Sequence, residues 1–476
     1  MPLRPRHATL LLLAAALTGC SLAPHEPPPA IALPAGWNDP VIGQDAAPPM
    51  ADWWRRFGDP ALDALVAQAL EYNLDLALAA ARIEEARAQL GASRAEQWPT
   101  LDAQADASRQ RSASGNGNGN DSLGSAGVRE FYSVAGVLGY ELDLFGRLRS
   151  ATDAARARLL ESTYTADALR LTVVTDVVSA YLDLRATERQ LAITDATVLS
   201  RQEALRLQRA RLRLGADTEL TLRQAEAALA AARAQAASLR ENLGRTQAAL
   251  AVLSGASPQA LFDQQPPPGQ FATLELPGEF PGVLPAQLLE RRPDIRAAQA
   301  ALRAADADIG AARALWFPRI NLTALIGSDA LRVGDLFSGP AASWSLGSSL
   351  VAPLLDFGRA EAQVAGAQAR RAQSQALYRQ TVQTAFREVR DALTSLREAQ
   401  LRERAQTDAV AALTRARELA SLQYLSGRGL YLDVLDADRS LLTAQLDLTT
   451  AARDARVAAA TLHKALGGDW PAPAPS

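Results

Sequence analysis

One tetrapeptide-length junction, present twice, limits this chain more than any other feature. Leu144-Phe145-Gly146-Arg147 closes an alternating stretch and opens a run of helix formers with no proline before Gly215. Asp356-Phe357-Gly358-Arg359 does the same and runs to Gly427. The likeness extends beyond the shared Phe-Gly-Arg: Ala67-Gln68, Leu70-Glu71, Gly91-Ala92 and Pro99 recur 219 residues on, and from Phe145 the offset becomes 212. The chain is therefore a tandem repeat. The extra length of the first half falls in a Gly/Asn/Ser-rich loop at 112–127.

Each half predicts the same order of elements. Asp59 is placed to cap a helix with Pro60 at its first position, and that helix is expected to run to about residue 97, where Pro99 stops it. After Pro99 the period becomes two: Leu101, Ala103, Ala105 and Ala107 alternate with Asp102, Gln104, Asp106 and Ser108. Val134, Gly136, Leu138, Tyr140 and Leu142 form the matching face across the loop. In the second half Ile320, Leu322, Ala324 and Ile326 alternate with Asn321 and Thr323, and Trp344, Leu346, Leu350 and Ala352 with Ser343, Ser345, Gly347 and Ser349. Strands of about 10 residues suit a tilted transmembrane β-strand. A hairpin half buried on a soluble core is the alternative that alternation alone leaves open. Aromatic placement favours the membrane, since Trp98, Trp316, Phe317, Phe145 and Phe357 all fall at one hairpin edge.

Long helices follow each hairpin. The run from 147 to about 214 is roughly 68 residues, on the order of 100 Å at 1.5 Å per residue. Val177, Leu184, Leu191, Val198, Leu205 and Leu212 recur every seven residues, which is coiled-coil spacing. The returning helices carry two seams each, with Ala444, Ala451, Ala458 and Ala465 lining one of them. Gly215 and Gly427 stand where each helical hairpin reverses.

The bulk numbers exclude several functions. Apolar residues make up 48% of the chain but aromatics only 5%, which suits extended helices better than a thick core. A net charge of -3 recommends no nucleic acid. His7, His25 and His463 are too scattered for a metal site, and there is no nucleophile with a base and no phosphate loop, so neither an enzyme nor a cofactor is expected. The one cysteine, Cys20, follows a basic start (Arg4, Arg6), an apolar run and Leu17-Thr18-Gly19. This resembles a bacterial lipobox, in which the thiol is lipidated and becomes the mature N-terminus. An ordinary signal peptide with an incidental cysteine is the alternative. Ser21 after the cysteine implies sorting to the outer membrane. No apolar run of about 18 residues exists to form a transmembrane helix.

These boundaries result: signal peptide 1–19; lipid-anchored extended tether 20–52; first repeat 53–262, with a β-hairpin at about 99–144 and a helical hairpin at 147–254; linker 263–285; second repeat 286–468, with a β-hairpin at about 318–356 and a helical hairpin at 359–466; tail 469–476.

Taken together, the lipobox, the two β-hairpins, the two helical hairpins, the Phe-Gly-Arg joins and the tip sequence from Tyr424-Leu425-Ser426-Gly427 to Asp433-Val434-Leu435-Asp436-Ala437 resemble the TolC-type outer-membrane efflux channels. The lipoprotein branch, the outer-membrane component of tripartite drug exporters, is the best match, and the likeness spans residues 53 to 468. The resemblance implies a mainly α fold with membrane β: a homotrimer whose chains each give four strands to a 12-stranded barrel, continuous with a coiled-coil α-helical barrel. It implies a Gram-negative outer-membrane location extending into the periplasm, contact with outer-membrane lipid, and partnership with a periplasmic adaptor and an inner-membrane pump. The function implied is a passive conduit exporting small molecules such as drugs. A protein-secretion duct of the same fold and a pore-less lipid-anchored coiled-coil adaptor are the alternatives.

By resemblance, Asp433 and Asp436 match acidic rings that constrict the periplasmic entrance, and Tyr424 matches a tyrosine that helps hold it shut. Arg428 stands beside Gly429, the position where the family's best-known member carries an arginine. The other reading of both aspartates is that they favour a helix N-terminus through its dipole. The joins Phe145, Gly146, Arg147, Phe357, Gly358 and Arg359 complete the candidate residues.

Overall fold

The computed structural model describes residues 22–24, 26, 27, 29–37, 52–111, 128–263, 269–277, 280 and 283–468; the expected signal peptide, Cys20, the loop at 112–127 and the tail at 469–476 lie outside the described residues. The chain divides into two compact units, one made of Met1–Pro29, Ile83–Glu161 and Ala298–Leu377, the other of Ala30–Arg82, Ser162–Ala297 and Tyr378–Ser476.

In chain order the elements are α1 (Pro60–Tyr72), α2 (Leu74–Ala95), β1 (Thr100–Arg111), β2 (Val128–Leu142), α3 (Arg147–Arg213) and α4 (Glu219–Leu253), then α5 (Pro285–Arg291), α6 (Pro293–Arg313), β3 (Arg319–Ala330), β4 (Ala342–Val351), α7 (Arg359–Leu425) and α8 (Tyr431–Ala465). The repeat is visible in the lengths, since α3 and α7 each have 67 residues and α4 and α8 each have 35.

The first unit carries one antiparallel sheet in the order β1-β2-β3-β4, so the two hairpins join through β2 and β3. Register places Leu101 opposite Leu138, Leu138 opposite Ala324 and Ala324 opposite Leu346, a single apolar row across all four strands. The next row, Ala103, Gly136, Ile326 and Trp344, lies on the same face. Along these two rows the face is largely open: Leu101 is 74% exposed, Leu346 77% and Trp344 79%. The opposite face holds Asp102, Gln104, Thr323, Asn321 and Ser345, interrupted by Val137 and Leu325.

The second unit has its own core. A 3-10 turn, Trp53–Phe57, pushes two aromatic rings against Val173, Val177 and Tyr181 of α3, with Leu250 and Leu274 closing the cluster. Asp59 caps α1 by accepting from the Ala61 amide at 2.9 Å, and its second oxygen receives the Tyr181 hydroxyl. Trp53 also stacks on His463 at 5.0 Å, with Phe280 on the other ring contact at 4.9 Å. Burial, with Arg56 adding to it, pulls the His463 imidazole down to about 3, so it is a neutral core ring. The seams of α4 and α8 are buried where the seven-residue spacing places them: Ala225, Leu229, Ala232, Ala236 and Leu239 on one helix, Ala444, Ala451, Ala455, Ala458 and Leu462 on the other.

One expectation changes. The single helix from Pro60 is two helices, because Asn73 takes an extended conformation between them and its Oδ1 accepts from the amides of Asp75 and Leu76 at 2.9 and 3.1 Å. Its Nδ2 donates to the carbonyl of Leu253 at 2.9 Å. The repeat does the same with a different residue: Arg292, 219 positions on, separates α5 from α6 and donates to the carbonyl of Ala465 at 3.0 Å. In the first half a local side chain outcompetes the helix, and in the second Pro293 holds the preceding Arg292 in an extended conformation. The proline-rich linker, for its part, is not a free spacer where it is described: Leu274, Phe280 and Val283 are buried, and Arg456 donates twice to the Leu274 carbonyl, at 3.0 and 2.8 Å. Proline and glycine content marked irregular backbone, which here is packed.

Gly255, after α4, has φ +76 and Gly215, after α3, has φ +70. A Cβ on Gly255 would lie 2.2 Å from the Tyr72 carbonyl oxygen, whereas one on Gly215 meets nothing within 4 Å. Gly215→Ala is therefore expected to cost only the left-handed backbone term, about 1–2 kcal/mol, and Gly255→Ala that plus overpacking of about 1–3 kcal/mol. Thermal unfolding followed by the helical circular dichroism signal checks this, and equal losses at the two sites would refute the packing role of Gly255.

Candidate functional site

The helical tips lie in the second unit. At the first, Gly215 and Ala216 donate to the carbonyls of Leu212 and Arg211, and at the second Gly427 and Arg428 donate to those of Tyr424 and Gln423, so both reversals use one motif. The side chains around the two reversals differ. Tyr424, near the end of α7, receives a hydrogen bond from the Gln208 amide of α3 at 2.9 Å and donates to Asp217 Oδ2 at 3.0 Å, with Gln208 Oε1 a second acceptor at 3.2 Å. The Arg211 guanidinium sits 4.9 Å from the centre of the Tyr424 ring, and the Tyr431 ring 5.4 Å from it. Beneath lies a small apolar cluster of Leu205, Ala225, Leu229 and Tyr431.

These contacts tie one hairpin tip to the other within a single chain. Partial burial alone would raise the Asp217 carboxyl, but the Thr221 hydroxyl, the Thr218 amide, the Tyr424 hydroxyl and Arg211 outweigh it and hold it below the ordinary carboxylate value. Burial, with Tyr424 and Asp438 adding to it, pushes the Tyr431 hydroxyl up to about 12.

The remaining expected residues do not join this cluster. Asp433 is exposed at the start of α8, and its Oδ2 accepts from the Leu430 amide at 3.2 Å, which is a capping role. Asp436 pairs with Arg439 at 3.0 Å and, with Arg439, edges a groove of about 480 Å³ between α4 and α8 lined by Ala227, Ala231 and Leu435. Arg428 is exposed and forms no ion pair among the described residues. Sequence reasoning missed Asp217, Gln208 and Arg211. Their signal was present in the repeat: Asp217 aligns with Gly429, Gln208 with Ala420, and Tyr424 with Leu212, so the polar contact exists in only one combination of tips.

The strand-to-helix joins lie in the first unit and are also unequal. Gly146 and Gly358 both take positive φ, +75 and +84. Arg147 grips Glu141 with two hydrogen bonds at 2.9 and 2.7 Å, a bidentate pair that clamps the end of β2 to the start of α3. At the second join the residue aligned with Glu141 is Pro353, and Arg359 is exposed. There Asp356 takes over by accepting from the amides of Gly358 and Ala360 at 3.1 and 3.0 Å. Phe145 stacks on Phe317 at 4.6 Å where β2 meets β3. Their repeat counterparts, Phe357 and Trp98, stand at the two open edges of the sheet, 91% and 73% exposed.

Among the described residues no helix is long and apolar enough to cross a membrane. The profile of the family described as outer membrane efflux protein matches residues 65–256 and 284–468. The chain is 39% identical over 465 residues, 97% of its length and 95% of the relative's, to the outer membrane protein OprJ of Pseudomonas aeruginosa. It is 35% identical over 463 residues, 95% of its length and 96% of the relative's, to the toluene efflux pump outer membrane protein TtgI of Pseudomonas putida. The crystal structure of the Campylobacter jejuni CmeC outer membrane channel matches with a TM-score of 0.88 at 25% identity, covering 96% of each chain. With four amphipathic strands, two long helical hairpins and matches spanning nearly its whole length, the chain belongs to the outer membrane efflux protein family and is an outer-membrane efflux channel.

Proposed function

We propose that three copies of the chain close one 12-stranded barrel and form the passive exit duct of a tripartite pump, without catalysis of its own. The observation that carries the assembly is the pair of unmatched aromatics. Phe145 and Phe317 stack where β2 joins β3, and the equivalent Phe357 and Trp98 lie bare at the outer edges of β4 and β1. When β4 of one copy pairs with β1 of the next, the second stack forms and the free edges vanish, which a lipid environment demands. A periplasmic adaptor and an inner-membrane pump supply the energy and choose the cargo. The alanine-lined groove between α4 and α8 is shaped to let an adaptor helix approach closely.

In this reading the Tyr424, Gln208 and Asp217 contact holds the hairpin tips together and restricts the entrance. Three-fold symmetry repeats each exposed Asp433 and Asp436 as a ring of like charge, which favours cations over anions. Cys20 carries the lipid anchor. Support comes from the segment just after it: the Leu22 carbonyl accepts from Arg313 at 3.0 Å and Glu26 pairs with Arg371 at 2.6 Å, both within the strand-bearing unit.

Three measurements test this reading. For assembly, cysteines replacing Trp98 and Phe357 in one chain are expected to crosslink into covalent trimers under oxidation, as seen on denaturing gels; uncrosslinked monomer, with monomer mass by light scattering in detergent, would sink the shared barrel. For the entrance, Tyr424→Phe and Asp217→Asn should each raise single-channel conductance in planar bilayers, and the paired change Asp433→Ala with Asp436→Ala should weaken cation preference. Because the Asp217 carboxyl is held low, its hold persists above the ordinary carboxylate value of about 3.9 and is lost only as pH falls through the depressed value. Conductance should thus rise only in strong acid, and Asp217→Asn should abolish that rise; a transition near neutral pH would exclude Asp217 as its cause. For the anchor, Cys20→Ala, exported by a cleavable signal, should lose fatty-acid labelling yet remain in the outer-membrane fraction, and a freely soluble product would contradict the membrane sheet.

A further inference from the structure

The loop between β3 and β4 is not a simple extracellular tether. Residues 331–341 fold through two 3-10 turns, Val333–Asp335 and Gly339–Ala341. Four of its amides are bonded within the loop: Asp335, Leu336, Ser338 and Ala341 donate to the carbonyls of Arg332, Val333, Asp335 and Ser338 at 3.0 to 3.3 Å. The Ser338 hydroxyl adds a bond to the Asp335 carbonyl at 2.7 Å.

Its position on the sheet is specific. Leu336 and Ala341 are buried in a small cluster with Ala330, packed against Tyr132. Tyr132 lies opposite both Ala107 and Ala330, in the same alternating set as Leu138 and Ala324, so the loop folds onto the apolar, lipid-facing side of the sheet and not over its polar side. On β1 and β2 the next row outward on this face is the ion pair Arg109 with Glu130 at 3.3 Å, which marks where hydrocarbon gives way to headgroups. At that level the loop presents Leu331, Val333 and Phe337 to the outside, 69%, 61% and 83% exposed.

We propose that this loop is a membrane foot: Phe337, with Leu331 and Val333, inserts at the headgroup and acyl boundary of the outer leaflet and binds lipid. The inference rests on the barrel reading, because it extends the lipid-facing surface of the sheet by one further layer. The four bonds within the loop hold its turns in place at a level where headgroups and water can meet the remaining amides, and a ring at the interface is where an aromatic side chain is favoured. Its role would be to fix the depth of the sheet in the leaflet.

The test is a nitroxide label on Phe337→Cys and, separately, on Val333→Cys, in the full-length protein reconstituted in phospholipid vesicles, with the parent chain, whose one cysteine is Cys20, as the labelling blank. Collision with oxygen is compared with collision with a water-soluble nickel chelate. Labels at Leu346→Cys and Gln104→Cys define the lipid-facing and polar-facing limits. The expected result is an oxygen-to-nickel ratio at 337 and 333 well above that at 104 and approaching that at 346. A ratio at 337 and 333 equal to that at 104, with 346 still lipid-exposed, overturns the foot and leaves the barrel standing. Immobilised labels inaccessible to both reagents would place a neighbouring copy on the loop and also overturn it. If 346 itself reads as water-exposed, the barrel reading falls and the foot falls with it.

Discussion

In hydrocarbon, a backbone N–H or C=O without a partner costs several kcal/mol, and the sheet of this chain has two strands, β1 and β4, with one unpaired edge each. Four strands are also too few to close a barrel alone, as bacterial barrels begin at about eight. The bare apolar face raises the demand further, since Leu101, Ile326, Trp344 and Leu346 are all open to the surroundings. A monomer in lipid would leave its edges unpaired, and a monomer in water would leave the apolar face bare. Lipid on the face and identical neighbours on the edges satisfy both at once.

The helical part answers a different requirement, which is to pack long helices closely without bulky cores. Alanine does this along the α8 seam, where Ala444, Ala451, Ala455 and Ala458 are buried. An aromatic-rich cluster forms in this unit around Trp53, Phe57 and Tyr181, and the linker residue Leu274 completes it. The helix breaks at Asn73 and Arg292 show how the repeat is kept. A neutral amide in one half and a guanidinium in the other each bond to the last turn of the returning helix, at Leu253 and Ala465. Arg292 is nearly buried, and although burial opposes its charge, Asp294 and Glu388 outweigh that and raise its pKa. The contact persists while its chemistry changes, because what the fold needs at that point is a donor.

The two halves depart from each other at a few positions. Tyr424 with Asp217 and Gln208 has no counterpart in the reverse pairing of tips, and Phe357 with Trp98 has no partner inside one chain. An internal repeat would by itself give every tip and every join equal roles. Differences at a few positions give one tip a polar tie to the other and leave one join without an aromatic partner.

The order of elements, the strand faces, the heptad seams and the reversals at Gly215 and Gly427 were legible in the sequence, since each depends on local periodicity or on backbone preference. So was the choice of Tyr424 as a tip residue, though through family resemblance. Its partners were not, because Asp217 and Gln208 lie more than 200 positions away and nothing local links them to it. The roles of Asp433 and Asp436 were likewise undecided: an acidic residue near a helix start suits a cap, an ion pair or a charged ring equally. Only the tertiary structure showed Asp433 on the Leu430 amide and Asp436 on Arg439. It alone also joined the two hairpins through β2 and β3 and folded residues 331–341 onto the apolar face. Periodicity determines which side of an element is apolar, and long-range packing determines what that side meets.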